Sequence, residues 1–179
     1  MDTSPDLWVF GYGSLMWQPG FAFDEMRPAL LRGWHRELCI YSNHWRGTRE
    51  KPGLVLGLDA GGSCRGVAFR VSAERAEATR AYLHERELRN YVYREVMRPV
   101  HFPDGQAADA LTYVADRKHR QYAGSLSREE RLAMVAVCSG EGGPNRDYVI
   151  NTVMHLRQLG VSDPELEWMV EQLSGTPCP

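Results

Sequence analysis

The run VFGYGSLMW at residues 9–17 sets two glycines around Tyr12, directly after an apolar stretch and directly before Ser14. Glycines at the end of a strand mark backbone that bends sharply or lets another group come close. Across Gly11, Tyr12, Gly13 and Ser14, successive N–H groups can point outward, and such a concave row of amides receives a carboxylate. The alternative is a plain turn against the chain's own next residues. Spacing excludes two other chemistries. Met16 stands where a dinucleotide-binding fingerprint needs its third glycine, and no lysine follows as in a phosphate loop. Ser14 lacks the flanking glycines of a nucleophile elbow, because Tyr12 and Met16 hold those places.

A second candidate lies in YLHERELRNY, residues 82–91. Ala76, Leu83 and Glu87 are spaced i, i+7 and i+11, which at helical periodicity keeps them within roughly 40° on one face, whereas Glu85 falls opposite. Glu87 therefore points toward the core. A carboxyl on a buried stripe is costly unless paired, hydrogen-bonded or protonated, and burial raises its pKa toward neutrality. That makes it usable as a general base and acid near pH 7. The competing reading is a pair with Arg80 or Arg94, or a last turn that reaches solvent.

Two polar loops supply weaker candidates. In SNHWRGTREKPG, residues 42–53, Arg46 sits between Trp45 and Gly47, and arginine suits bidentate carboxylate binding. The loop reads equally as a solvated basic segment. In GEGGPNRDY, residues 140–148, Asn145 and Tyr148 open a helix whose N-terminus can receive an anion, or the run is only a loop and cap.

The elements that must position these groups are legible in outline. Residues 7–12 read as a buried strand, and apolar segments at 28–33 and 35–41 are split near Gly33. Strands are expected at 54–58 and 65–71, with DAGGSC between them as a hairpin turn. Ser72 is the expected N-cap of a helix running through residue 88. YVYREVMRPV and ADALTYVAD read as strands joined through PDG. Ser127 with Glu130 forms a capping-box pattern for a helix to about Cys138; Pro144 and Asp163-Pro164 start two more. The tail SGTPCP, residues 174–179, is expected to fray. This order suggests an α+β fold with a mainly antiparallel sheet or small barrel, without alternating βαβ units.

Composition narrows the function classes. With 179 residues, 43% hydrophobic and 25% charged, the chain fits one globular domain over 1–179. A formal charge of -2 and a pI near 6.3 give no general attraction to nucleic acid or anionic membranes. No apolar run is long enough to span a bilayer, and the start MDTSPD does not resemble a secretory signal, so a cytoplasmic location is expected. Cys39, Cys64, Cys138 and Cys178 lack paired spacing, and His84-Glu85-Arg86-Glu87 lacks a second histidine, so no metal is expected.

Together the strings resemble the ChaC-type γ-glutamylcyclotransferase family: VFGYGSL-W at Val9–Trp17, R-G-T-x-E-K-P-G at 46–53, Y-L-x-x-R-E at 82–87 and G-P-N-x-x-Y at 143–148. They occur in the family's order and cover most of the chain. The resemblance implies a small mixed or antiparallel β-barrel surrounded by helices, no cofactor, Glu87 as the catalytic glutamate and residues 11–16 as the substrate loop. Arg46 and Tyr148 are secondary substrate-binding candidates. Trp45 departs from the family, which commonly has histidine before R-G-T.

The implied reaction converts a γ-glutamyl amide, with glutathione the leading substrate, into 5-oxoproline and a free amine such as Cys-Gly. The substrate's α-amine attacks its own γ-carbonyl, so holding the folded conformer is a large part of catalysis. Glu87 is expected to take a proton from the α-ammonium and return it to the leaving nitrogen. The alternatives are a cyclotransferase for another γ-glutamyl amine and a non-catalytic, anion-binding regulator of cation transport.

Overall fold

The computed structural model describes residues 5–175. Its strands are β1 (Leu7–Gly11), β2 (Glu25–Ser42), β3 (Gly53–Val71), β4 (Tyr93–His101) and β5 (Ala107–Ala115), closed into a barrel in the order β1-β3-β2-β4-β5. Pairing is antiparallel for β1 with β3, β2 with β4 and β4 with β5, and parallel for β1 with β5, where Trp8 faces Ala110. That parallel seam makes the barrel mixed. The helices are α1 (Ala73–Glu87), α2 (Arg128–Val137), α3 (Asn145–Gln158) and α4 (Pro164–Gly175), and a two-stranded ribbon pairs β6 (Ser139–Gly140) with β7 (Gly143–Pro144).

The chain packs as two compact units. The first comprises Met1–Glu37 and Gly57–Arg120, and the second Leu38–Leu56 and Gln121–Pro179. In the first, Val9, Phe10, Phe69, Leu83, Val100, Leu111 and Val114 are buried. Six consecutive buried residues, Ala110–Ala115, show that β5 is covered on both faces, which suits its alanine, leucine and β-branched content. In the second, Val149, Val153 and Leu156 of α3 and Leu166, Met169 and Leu173 of α4 form helical stripes buried beside Val135 of α2.

Local signals placed most boundaries. The capping box at α2 forms in full, with Ser127 Oγ accepting from Glu130 N and Glu130 Oε2 from Ser127 N. Asp163 Oδ1 accepts from Leu166 N at the start of α4. Pro144 is the N-cap residue of α3, one place before its first turn. Ser72 precedes α1 but caps it with no side-chain bond; its hydroxyl instead accepts from Arg75 Nε, and Asp6 accepts from Ala73 N.

The expected hairpin at DAGGSC does not occur. β3 runs unbroken through it, because Gly61 (φ +103°) and Gly62 (φ +65°) absorb a local kink within one strand, and His35 Nδ1 bonds with Gly61 O. Gly33 (φ +83°) does the same in β2, so the expected segments 28–33 and 35–41 are one strand. The first strand ends at Gly11, one residue early. Ser174 and Gly175 of the expected frayed tail belong to α4; the remainder, with Cys178, lies outside the described residues.

Candidate active site

The chemistry-bearing residues of the first unit meet where β1 ends. After Gly11 the chain makes a 3-10 turn, Ser14–Met16, in which Gly13 O accepts from Met16 N at 2.9 Å and Ser14 O from Gln18 N at 2.8 Å. The carbonyls are thus used internally. The N–H groups of Gly13, Ser14 and Leu15 have no hydrogen-bond partner among the described residues. Three successive unpaired donors can receive an anion. Leu15 and Met16 anchor the turn with buried side chains, and Ser14 is exposed.

Close approach beneath this loop depends on a glycine outside the motif. A Cβ at Gly66 would lie 2.3 Å from Gly11 O, so β3 can pass under the end of β1 only without a side chain there. Sequence alone offered no sign that Gly66 differed from the other glycines.

Glu87 is the last residue of α1, and its side chain is 19% exposed, while Leu83, one turn back, is fully buried and Glu85 is exposed. The inward face expected for Glu87 and the outward one for Glu85 are those observed. Burial pushes the Glu87 carboxyl above its ordinary value, opposed only in part by the Arg86 guanidinium, whose Nε lies 3.3 Å from Glu87 Oε1. Arg80 is not its partner, because it pairs with Glu95 of β4.

Arg86 joins the two parts of the site. It donates to Gln18 O at 2.7 Å, Pro19 O at 3.1 Å and Ser14 Oγ at 3.1 Å while lying against Glu87. Gly20 (φ +75°) completes this packing, since a Cβ there would run into the Tyr82 hydroxyl at 2.0 Å. Arg86 lies within Y-L-x-x-R-E at 82–87, yet its reach across to the loop had no signal in the sequence.

A second carboxyl stands in the same unit. Glu95 bonds Arg80, His84 and the Tyr113 hydroxyl, the last at 3.3 Å. Burial pushes Glu95 up, but the Arg80 and His84 bonds outweigh it and hold the carboxyl below its usual range. Burial, helped by the negative Glu95 and Glu87, pushes the Tyr113 phenol well above its usual range.

Arg46, Asn145 and Tyr148 belong to the second unit. Arg46 Nη1 donates to Gly142 O at 2.5 Å, and its guanidinium stacks 5.3 Å from the Tyr148 ring centre. Asn145, fully buried, exchanges two hydrogen bonds with the Leu54 backbone, at 2.7 and 2.8 Å, in the manner of a strand partner. The Tyr148 hydroxyl accepts from Leu56 N at 3.1 Å. These polar groups tie the start of α3 to β3. Trp45 is 55% exposed and lies beside Gly142. No group of three His, Cys, Asp or Glu is arranged to hold a metal ion among the described residues, and no helix there is long and apolar enough to cross a membrane.

A family model described as ChaC-like protein matches residues 7–175. The chain is 34% identical over 165 residues to the glutathione-specific γ-glutamylcyclotransferase of Escherichia coli (strain K12), covering 92% of this chain and 71% of that protein. It is 34% identical over 180 residues to glutathione-specific γ-glutamylcyclotransferase 1 of Homo sapiens, covering 97% and 80%. In fold it is similar to a crystal structure of a yeast γ-glutamyl cyclotransferase specific to glutathione, with a TM-score of 0.85, 20% identity and coverage of 96% and 97%. With the match running through the amide loop, α1 and α3 alike, the chain belongs to the ChaC-like family.

Proposed function

We propose that this chain is a γ-glutamylcyclotransferase that cleaves glutathione to 5-oxoproline and Cys-Gly. The observation that carries the reading is one carboxyl with a raised pKa, Glu87, joined through Arg86 to a loop whose amides at Gly13, Ser14 and Leu15 are unpaired. The names of its curated relatives supply the substrate class.

In this mechanism the loop amides hold the α-carboxylate of the γ-glutamyl group, fixing the α-nitrogen against its own γ-carbonyl. The α-nitrogen is largely ammonium at neutral pH and cannot attack. Glu87, ionised, takes one of its protons. The freed lone pair forms the new C–N bond of a five-membered ring, and the γ-carbonyl becomes a tetrahedral oxyanion. Glu87 returns its proton to the leaving nitrogen as the oxyanion reforms the carbonyl and the old C–N bond breaks, then takes the second surplus proton from the ring nitrogen and passes it to the freed amine, which departs as ammonium, so no water is consumed. A carboxyl shifted upward by burial is suited to both halves of this cycle. Arg46 and Tyr148, of which the Nη1 and the hydroxyl already bond backbone while Arg46 Nε has no partner among the described residues, are kept as secondary substrate-binding candidates.

Incubating the purified protein with glutathione should release 5-oxoproline and Cys-Gly in equal amounts. Release of free glutamate would instead mean hydrolysis and would overturn the ring-closure step. Other γ-glutamyl amines run in parallel decide the substrate, a comparison made worthwhile by the exposed Trp45.

A further inference from the structure

We propose that Arg36 is a positioning residue for the anion-binding loop, holding the Tyr12–Gly13 peptide so that the Gly13 N–H faces the substrate's α-carboxylate. The proposal rests on the reading above but concerns a residue outside the motifs that support it.

Arg36 lies in β2 and is only 7% exposed, where a charged side chain is costly unless its donors are used. Its Nε donates to Tyr12 O at 2.6 Å and its Nη2 to Arg65 O at 2.7 Å. The register explains why these carbonyls are there. The β1–β3 ladder ends at the Gly11–Val67 pair, so Tyr12 and Arg65 lie just past its last rung, on opposite strands. The planar fork of arginine takes one carbonyl from each and closes the open end.

The functional consequence follows from peptide geometry. In a planar trans peptide the C=O and the next N–H point in opposite directions. Holding Tyr12 C=O on the buried side therefore directs the Gly13 N–H away from Arg36, as the first of the three unpaired donors. Without that bond the peptide is poorly restrained, because glycine on either side of Tyr12 tolerates rotation. Arg36 thus keeps the amide row aligned before substrate arrives, which is preorganisation for binding the carboxylate.

The test compares wild type, Arg36→Met and Arg36→Lys against glutathione and its α-carboxamide analogue, with thermal melts and circular dichroism on each. Wild type should prefer the carboxylate. Arg36→Met should lose about tenfold to a hundredfold of that preference, chiefly through KM for glutathione, with kcat changed less and affinity for the carboxamide unchanged. Arg36→Lys, with its charge but no fork, should fall between. A folded Arg36→Met protein that keeps the wild-type preference overturns the proposal. If neither variant folds, the residue's role is structural and the proposal is likewise lost. Failure of the underlying reading looks different: wild type itself then shows no carboxylate preference and no 5-oxoproline.

Discussion

Glu87 at the end of α1 and Glu95 at the start of β4 have side chains only 19% and 15% exposed, Glu87 lying deeper among protein atoms, and their carboxyls move in opposite directions. Burial pushes both upward. Around Glu95 it is overcome by bonds from Arg80 and His84, and the Tyr113 hydroxyl adds a third partner. Around Glu87 it is opposed only by the neighbouring Arg86 charge, and burial prevails. Burial sets the cost of the negative form, and the partners decide whether that cost is met. One carboxyl is consequently a structural anion. The other is left able to exchange a proton.

The largest expected effect is from Glu87→Gln, which removes the proton carrier while keeping size and shape. Its kcat for 5-oxoproline release should drop about 10²–10⁴-fold. Stability should move the other way. Because the folded-state pKa of Glu87 is raised above its ordinary value of 4.5, its contribution is full below that value and is lost as pH rises through the raised one. At pH 8, then, Glu87→Gln should melt no lower than wild type. A clearly lower melting temperature there would show that the carboxylate has a stabilising partner and that the contrast with Glu95 is false.

Glu95→Gln should show the reverse pattern. It loses bonds from Arg80 and His84, so about 1–3 kcal/mol of stability should go at neutral pH, with turnover reduced far less than in Glu87→Gln. Its folded pKa is lowered, so its contribution is present above the ordinary value and fades as pH falls through the lowered one. Denaturant curves for wild type and variant should therefore converge in acid. Tyr113→Phe removes a single 3.3 Å bond to Glu95 and should cost about 0.5–1.5 kcal/mol, read from the same curves.

The finest adjustment concerns Arg86. Replacing it with methionine removes the charge that favours ionised Glu87, so the acid limb of the kcat/KM profile should move to higher pH. An acid limb that stays in place would mean that Arg86 acts on the loop alone.

The features legible in the chain alone were local. The phase of α1 turned Glu87 inward and Glu85 outward, the Ser127–Glu130 box started α2, and PDG joined β4 to β5, because each signal lies within a few residues of its effect. The motif residues of the amide loop were legible for the same reason. Tertiary structure decided everything that depended on distant neighbours. DAGGSC had turn-forming residues but became part of one strand, since barrel pairing outweighed local turn preference. Gly66 mattered because Gly11 passes above it, and Arg36 because the β1–β3 ladder ends beside it. Above all, periodicity could say that Glu87 is buried, but only the fold could give Arg80 to Glu95 instead. A pKa is set by the charges and dipoles within a few ångströms, and those come from segments that the chain's order does not bring together.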